Sequence, residues 1–225
     1  MTLLQVTTVA DSAMVNASDS SVNLFDLLLK GGYVMIPLLL LSAAAIAIFV
    51  ERVLTIKKSS KTPSGLLSQV KSLVTEGKID QAKMMCSQND TPIAKMLEKG
   101  VSRIGSPLKN IEVSIENVGK VEIYRLEKNL SLLATISGAA PMIGFLGTVT
   151  GMIQAFIAIA QEEGSVSPKL LSEGIYEAMI TTAVGLSVGI IAYLGYNYLV
   201  TQVQKVIHKM EYTSVEFIDL LQESK

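Results

Sequence analysis

The chain has 225 residues, of which 49% are hydrophobic, and its mean hydropathy is +0.44. The apolar residues are concentrated in a few long blocks, which indicates an integral membrane protein. The net charge of −1 gives no basis for nucleic-acid binding, and the single cysteine, Cys86, cannot form an intramolecular disulfide. We expect Cys86 to be a small buried hydrophobic residue.

The N-terminal part is predicted to lead into a first transmembrane helix. Residues 1–30 read as a periplasmic tail that ends in a short interfacial helix. The first span is predicted over residues 31–56, where Tyr33 suits a membrane interface. The basic residues that follow its apolar part, which ends at about Val50, are Arg52, Lys57, Lys58 and Lys61. The positive-inside tendency therefore predicts a cytoplasmic end here and a periplasmic N-terminus.

Residues 57–128 are soluble in character and predict a helical cytoplasmic domain. Gly77, Asn89 and Gly105 lie in sequences typical of breaks between short helices. Beyond Pro107 we expect one continuous helix from about residue 108 to about residue 160, which includes a second span over 129–160. Such a helix is roughly 80 Å long, so it extends well beyond a bilayer.

The last part predicts a third span. Residues 161–170 form a short, acidic periplasmic loop, and Pro168 suits the first position of a helix. The span covers residues 171–202, and an amphipathic cytoplasmic helix follows over residues 203–225. We therefore predict an all-α membrane protein with three transmembrane helices, two of which extend into the cytoplasm as long helices, and a helical cytoplasmic domain.

The second span is too rich in small residues to be a simple lipid anchor. Residues 139–151 carry a proline, two threonines and a Gly-x-x-x-Gly pattern, which lets another helix approach closely. The third span has a second such pattern. The residues that we assign to helix packing are Pro141, Gly144, Gly147, Gly151, Gly185 and Gly189.

Few polar groups occur deep inside the predicted spans, and Glu177 is the ionisable residue that we place there; Glu173, one turn earlier, is expected nearer water. Thr181 follows it by four residues and shares its helix face, Thr182 lies about 100° further round, and Thr148 lies in the glycine-rich span. Two interpretations stay open. The threonines can bond carbonyl groups of their own helices, and Glu177 can be an interfacial carboxylate; alternatively, these groups form an ion pathway.

Several functional classes find no support in the sequence. There is no phosphate-binding loop, no dinucleotide-binding pattern, no metal-ligand spacing and no nucleophile–base pair. We therefore expect no metal, no cofactor and no enzymatic activity. A small-solute transporter is disfavoured as well, since no inverted repeat is visible.

Two motifs resemble the MotA/TolQ/ExbB proton-channel family. They are Glu-x-x-Arg-Leu-Glu-Lys-x-Leu at residues 122–130, followed by Ala-Pro-Met-Ile-Gly-Phe-Leu-Gly-Thr-Val at 140–149, and Gly-Ile-Tyr-Glu-Ala-Met-Ile-Thr-Thr-Ala-Val-Gly-Leu at 174–186. Three spans and a large cytoplasmic insertion resemble the ExbB/TolQ branch.

The resemblance implies a homopentamer in a bacterial inner membrane, with a cytoplasmic C-terminus, in which the second and third spans of the subunits enclose a central pore. An ExbD/TolR-type single-span partner would contribute a membrane Asp, and a TonB/TolA-type partner would cross the periplasm; membrane lipids surround the assembly. Thr148 and Thr182 match the family's pore-lining threonines, and Glu177 matches its third-span glutamate. Thr181 stands where the family often has Ala, and the region of Gly189 lacks the family's common proline.

The resemblance implies a stator and proton-channel subunit that couples the proton motive force to mechanical work and supports transport. The alternatives are a structural pentameric scaffold, whose partner alone carries the ions, and a stator of a gliding or other motor. The absence of extra ligating carboxylates favours H⁺ over Na⁺.

Overall fold

The computed structural model describes residues 32–61, 63, 65–161 and 168–223. The predicted N-terminal tail and interfacial helix, over residues 1–30, lie outside the described residues, as does most of the predicted loop at 161–170. The regular structure of the described residues is α-helical, with no strand among them.

The described residues form seven α-helices. These are α1 Met35–Ser60, α2 Leu66–Thr75, α3 Ile79–Ser87, α4 Pro92–Val101, α5 Leu108–Glu127, α6 Leu130–Gln161 and α7 Pro168–Glu223. Three helical stretches are long and apolar enough to cross a membrane, and they lie in α1, in α5–α6 and in α7. The predicted class, an all-α membrane protein with three spans, is confirmed.

The expected continuous helix from residue 108 to residue 160 is wrong, because Lys128 and Asn129 separate α5 from α6. Lys128 has extended backbone angles, and Asn129 has a left-handed φ of 63°. Asparagine is one of the few residues other than glycine that adopt this conformation readily. The break also leaves the Asn129 carbonyl to accept a bond from the N–H of Leu133, at 3.2 Å.

The third span and the C-terminal helix form one uninterrupted element. Helix α7 contains 56 residues, so it is roughly 84 Å long. It runs through the predicted span at 171–202 and through the described part, up to residue 223, of the helix predicted at 203–225. No glycine or proline interrupts it after residue 195, which explains why its helical path continues beyond the apolar stretch.

The described chain divides into two compact units. The first unit contains residues 32–40, 140–161 and 168–187, and the second contains the described residues of 41–139 and 188–223. The first unit holds the facing parts of α6 and α7. The second unit holds helices α2 to α5, together with the rest of α1, α6 and α7.

The C-terminal part of α7 lies in the core of the second unit. Phe217 is fully buried, and Gly100 of α4 lies against it and against Ile115 of α5. A Cβ atom at Gly100 would lie 2.6 Å from the Phe217 ring, so glycine is required for this packing. Thr91 is the N-cap residue of α4, and its hydroxyl accepts a bond from the N–H of Ala94 at 3.3 Å. The buried Phe217 ring thus holds the C-terminal part of α7 in the core of the second unit.

A buried arginine lies where α1 leaves its apolar stretch. The Arg52 side chain is 5% exposed and donates to the carbonyl of Arg125 at 3.1 Å. It also donates to the Glu51 carboxylate at 2.6 Å. These bonds offset the cost of burying the charge and join the end of α1 to the end of α5.

Cys86 of α3 provides a test of the helical core. Its side chain is buried, and burial, together with the nearby Glu98 carboxylate, raises the pKa of the thiol to about 11. The thiolate is the reactive form, so at pH 8 the folded protein holds about 100-fold less of it than a thiol with a pKa of 9. We expect iodoacetamide to label folded protein at least about 100-fold more slowly than protein unfolded in detergent and urea.

The control for this prediction places a thiol one residue further along, at an exposed position. In a Cys86→Ser background, Ser87→Cys should react rapidly in the folded protein, since Ser87 is exposed at the end of α3. Equal labelling rates for Cys86 in the folded and the unfolded chain would contradict its burial.

Candidate functional site

Helices α6 and α7 approach most closely at two glycines in the first unit. A Cβ atom at Gly185 would lie 2.7 Å from the carbonyl oxygen of Ala140 and 2.8 Å from the Cα of Gly144. A Cβ atom at Gly144 would lie 2.9 Å from the carbonyl oxygen of Thr181. The atoms that would be displaced belong to the backbone, so only glycine fits at both positions.

The same seam continues along both helices in the first unit. Gly147 lies against the Thr181 side chain, and Gly151 lies against Ala178, whose Cβ would be 3.1 Å from an added Cβ. Gly174 of α7 then faces Ala155 of α6. We define the α6–α7 seam as the small residues along this contact: Ala140, Gly144, Gly147, Gly151, Ala155, Gly174, Ala178 and Gly185.

Two threonine hydroxyl groups meet across the seam. The Oγ1 atoms of Thr148 and Thr182 are 2.9 Å apart. Thr182 Oγ1 also lies 3.0 Å from the carbonyl oxygen of Gly144, and Thr148 Oγ1 lies 2.7 Å from that of Phe145. Both side chains are half-buried. The two groups therefore form a polar connection between the helices and keep an accessible edge.

Each hydroxyl has one hydrogen, so this group of atoms has two complete bonding arrangements. In the first, Thr148 donates to Thr182, and Thr182 donates to the Gly144 carbonyl. In the second, Thr182 donates to Thr148, and Thr148 donates to the Phe145 carbonyl. Both arrangements use both hydrogens, and they differ only by rotation of the two hydroxyl groups.

Thr181 differs from its neighbour Thr182 in its surroundings. Its side chain is buried, with 2% of the residue exposed, and its hydroxyl donates to the carbonyl of Ala178 in its own helix at 2.8 Å. Thr150 of α6 similarly bonds carbonyl groups of its own helix. Of these four threonines, only Thr148 and Thr182 bond each other. The predicted polar residues therefore do not form one connected group.

Glu177 lies beside the turn that precedes α1. Its carboxylate occupies the space in which a side chain at Gly32 would lie, and Gly32 has a φ of +64°. The N-terminal end of a helix favours a neighbouring negative charge. The sequence pattern gave no indication that Gly32 accommodates Glu177, because the two residues lie far apart in the chain.

The remaining predicted residues lie in different places. Pro141 is inside α6, where it removes the backbone donor that would otherwise bond the Ser137 carbonyl. Gly189 is buried and belongs to the second unit. His208 is exposed and lies 3.4 Å from the Glu211 carboxylate.

The surface of α6 is mostly apolar and uncovered within the chain. In the α5–α6 stretch, 17% of the most apolar segment of 18 residues is buried. Its exposed large side chains include Met142, Phe145, Leu146, Val149, Met152 and Ile153. No charged residue occurs in residues 130–161 or 178–204. In the described residues, no group of three or more His, Cys, Asp or Glu side chains is placed to hold a metal ion.

Comparison with known proteins identifies relatives over this same region. Residues 88–212 match the profile of a family described as the MotA/TolQ/ExbB proton channel family. The match contains α4, α5, α6 and most of α7, and it includes Thr148, Glu177 and Thr182.

Individual relatives agree with this match. The Synechocystis sp. protein named ExbB-like 1 is 31% identical over 180 residues, which are 79% of this chain and 71% of the relative. A Methanothermobacter thermautotrophicus protein named as an ExbB homolog is 30% identical over 175 residues, 75% of this chain and 61% of that relative. The Haemophilus influenzae Tol-Pal system protein TolQ is 38% identical over 85 residues, 38% of this chain and 37% of its own length.

The close contact at the α6–α7 seam predicts that one added methyl group destabilises the fold. Gly185→Ala should lower the free energy of unfolding by about 1–3 kcal/mol, because the new Cβ overlaps backbone atoms of α6. Gly138→Ala is the matched control, since nothing lies within 4 Å of its new Cβ. Thermal unfolding in detergent measures both variants, and equal melting temperatures would contradict the close approach.

Proposed function

Because this chain belongs to the MotA/TolQ/ExbB proton channel family, we propose that it is a stator and proton-channel subunit of an inner-membrane complex. The complex would be of the ExbB–ExbD–TonB or TolQ–TolR–TolA type. It would couple the proton motive force to mechanical work across the periplasm or on the outer membrane, and so support transport. In this proposal the subunit makes and breaks no covalent bond.

We infer that the subunit acts as a homopentamer around a single-span partner. The support is the uncovered apolar surface of α6, which a single chain leaves available to other helices and to lipid. Five copies of the α6–α7 seam would then form the wall of a central pore. The partner's transmembrane helix would lie in that pore.

The proposed orientation follows the distribution of charge at the ends of the spans. Basic residues follow the apolar parts of α1 and α7, at Lys57 and at Lys205. The positive-inside tendency assigns these ends, and therefore α2 to α5, to the cytoplasm. The N-terminus would be periplasmic.

The observation that carries the proposal is the bond between Thr148 and Thr182. It is a polar contact in a region where this chain has no Asp, Lys or Arg. A hydroxyl does not titrate near neutral pH, so the titrating carboxylate would come from an Asp in the partner's helix. Protonation would neutralise that Asp and remove the penalty for moving it past an apolar wall.

The two bonding arrangements give the hydroxyl pair a specific task. A protonated Asp can donate to whichever threonine oxygen has a free lone pair, whereas an ionised Asp needs a donor. A threonine hydroxyl can supply that donor only when its hydrogen leaves the carbonyl or the threonine oxygen that it bonds. Each proton that crosses contributes about 2.3 kcal/mol per 100 mV of membrane potential, so several protons can drive substantial movement.

We predict that Thr148→Val combined with Thr182→Val abolishes coupling while the complex still assembles. One hydroxyl bond between membrane helices contributes only about 0.6 kcal/mol on average, and valine keeps the shape of threonine. Proton flux into liposomes that contain the full chain and an ExbD/TolR-type partner should fall at least about tenfold. A tenfold fall corresponds to the loss of about 1.4 kcal/mol of stabilisation of the partner's carboxyl group in the pore.

The matched control is Thr181→Val in the same span. The Thr181 hydroxyl bonds its own helix and is buried at the seam, so this variant should keep most of the flux. Thr148→Ser combined with Thr182→Ser should restore flux because both hydroxyls return. Full flux in an assembled double valine variant would instead favour the scaffold function, in which the partner alone carries the ions.

A second prediction concerns Glu177. We propose that its negative charge raises the local proton concentration near the hydroxyl pair, five residues before Thr182. Glu177→Gln keeps the size of the side chain and should lower proton flux several-fold in the same assay, with assembly unchanged. Unchanged flux in the assembled variant would leave Glu177 as an interfacial carboxylate beside the start of α1.

A further inference from the structure

A groove between α1 and α7 in the second unit changes character along its length. Its first part is an apolar cavity of about 240 Å³, and its second part is a basic cavity of about 530 Å³. The first part includes Ala45, Phe49, Ile191 and Gly195, and the second includes Lys57, Ser60, Gln202 and Lys205. The lining residues of each helix recur every three or four positions, so both parts lie on the same two helix faces.

The two parts follow each other directly. On α1 the apolar part ends at Phe49 and the basic part begins at Val53, one turn later. On α7 the change occurs between Gly195 and Tyr198. The rings of Phe49 and Tyr198 lie at the junction, with centroids 6.4 Å apart. We call the whole surface the α1–α7 groove.

The basic part carries a cluster of positive charges without lining acids. Its lysines are Lys57, Lys61, Lys205 and Lys209, and His208 lies among them. Within the described part of the chain, none of these four ammonium groups has an ion pair. Lys58, which does not line the groove, bonds Asp90 at 3.2 Å. The charges of the groove are thus left for an anion from outside the chain.

The depth of the groove matches the two regions of a lipid leaflet. The apolar part lies in stretches of α1 and α7 that contain no charged residue, before Glu51 and before Lys205. The basic part lies where the first lysines of each helix follow, which is the level of the lipid headgroups. The wall of the basic part is apolar at its base, with Ile56 and Leu199 both buried.

We propose that the α1–α7 groove binds one phospholipid with a net negative headgroup. An acyl chain occupies the apolar part, the phosphate lies among the four lysines, and Ser60 and Gln202 bond the remainder of the headgroup. A free phosphate would leave the apolar part unused. A zwitterionic headgroup carries a positive charge that the lysines repel, so phosphatidylglycerol is favoured over phosphatidylcholine and phosphatidylethanolamine. This site is independent of the proposed proton pathway.

The test measures which lipid stays with the full-length protein. Protein is purified in mild detergent, incubated with equal amounts of dioleoyl phosphatidylglycerol and dioleoyl phosphatidylcholine, and examined by native mass spectrometry. We expect at least about a tenfold preference for phosphatidylglycerol. Inorganic phosphate at the same concentration should not displace it; displacement would mean a free-anion site and would overturn the proposal.

Two sets of variants then test the charge of the basic part and the space of the apolar part separately. Replacing Lys57, Lys61, Lys205 and Lys209 by Gln should reduce the preference at least about tenfold. Replacing Lys78, Lys83, Lys109 and Lys120, which are exposed outside the groove, removes the same charge and should leave the preference unchanged. Ser42→Phe should reduce retention of both lipids by filling the apolar part.

Two outcomes overturn the proposal even if the lysine variant does not fold. One is equal retention of both lipids by the unmodified protein. The other is equal retention by unmodified protein and by Ser42→Phe, which would mean that the acyl chain lies elsewhere.

Discussion

The contact between the backbones of Gly144 and Gly185 determines what the first unit can do. Lipid provides no hydrophobic force that brings two apolar helices together, so their contact depends on close packing and on bonds across the interface. The two glycines allow the close packing. They also bring Thr182 within 3.0 Å of the Gly144 carbonyl and within 2.9 Å of Thr148. With any larger residue at the contact, each threonine would be left to the carbonyl groups of its own helix.

The helix that carries Thr182 also stabilises the second unit. Phe217, far along α7, is buried beside Gly100 and Ile115, and Lys71 of α2 lies 3.4 Å from Glu216 of α7. A helix embedded in this way cannot unfold near its C-terminus without disrupting the core around α4. The long continuous α7 thus contributes its N-terminal part to the polar seam and its C-terminal part to the core of the second unit. The groove against α1 lies between these positions along the helix.

Much of the fold followed from the sequence, because long uncharged runs and flanking lysines predict spans directly. The break at Asn129 did not, since residues 108–160 keep a helical pattern and neither glycine nor proline occurs between Gly119 and Gly138. Asparagine's tolerance of a left-handed φ was the available signal, and it is weak by itself. Within the site, spacing placed Thr181 and Thr182 on different faces, but it could not decide which one meets Thr148. That outcome depends on the register of two helices, which the glycine contacts set.

The two bonding arrangements of the Thr148–Thr182 pair have a kinetic consequence. Exchange between them requires only rotation about two C–O bonds, and side-chain rotations of this kind take picoseconds to nanoseconds. Movements of whole helices take microseconds to milliseconds. The hydroxyls therefore re-equilibrate many times during any such movement and cannot limit its rate. The temperature dependence of turnover would then report the barrier to motion of entire helices, with the threonine pair acting as a fast element that follows the electric field around it.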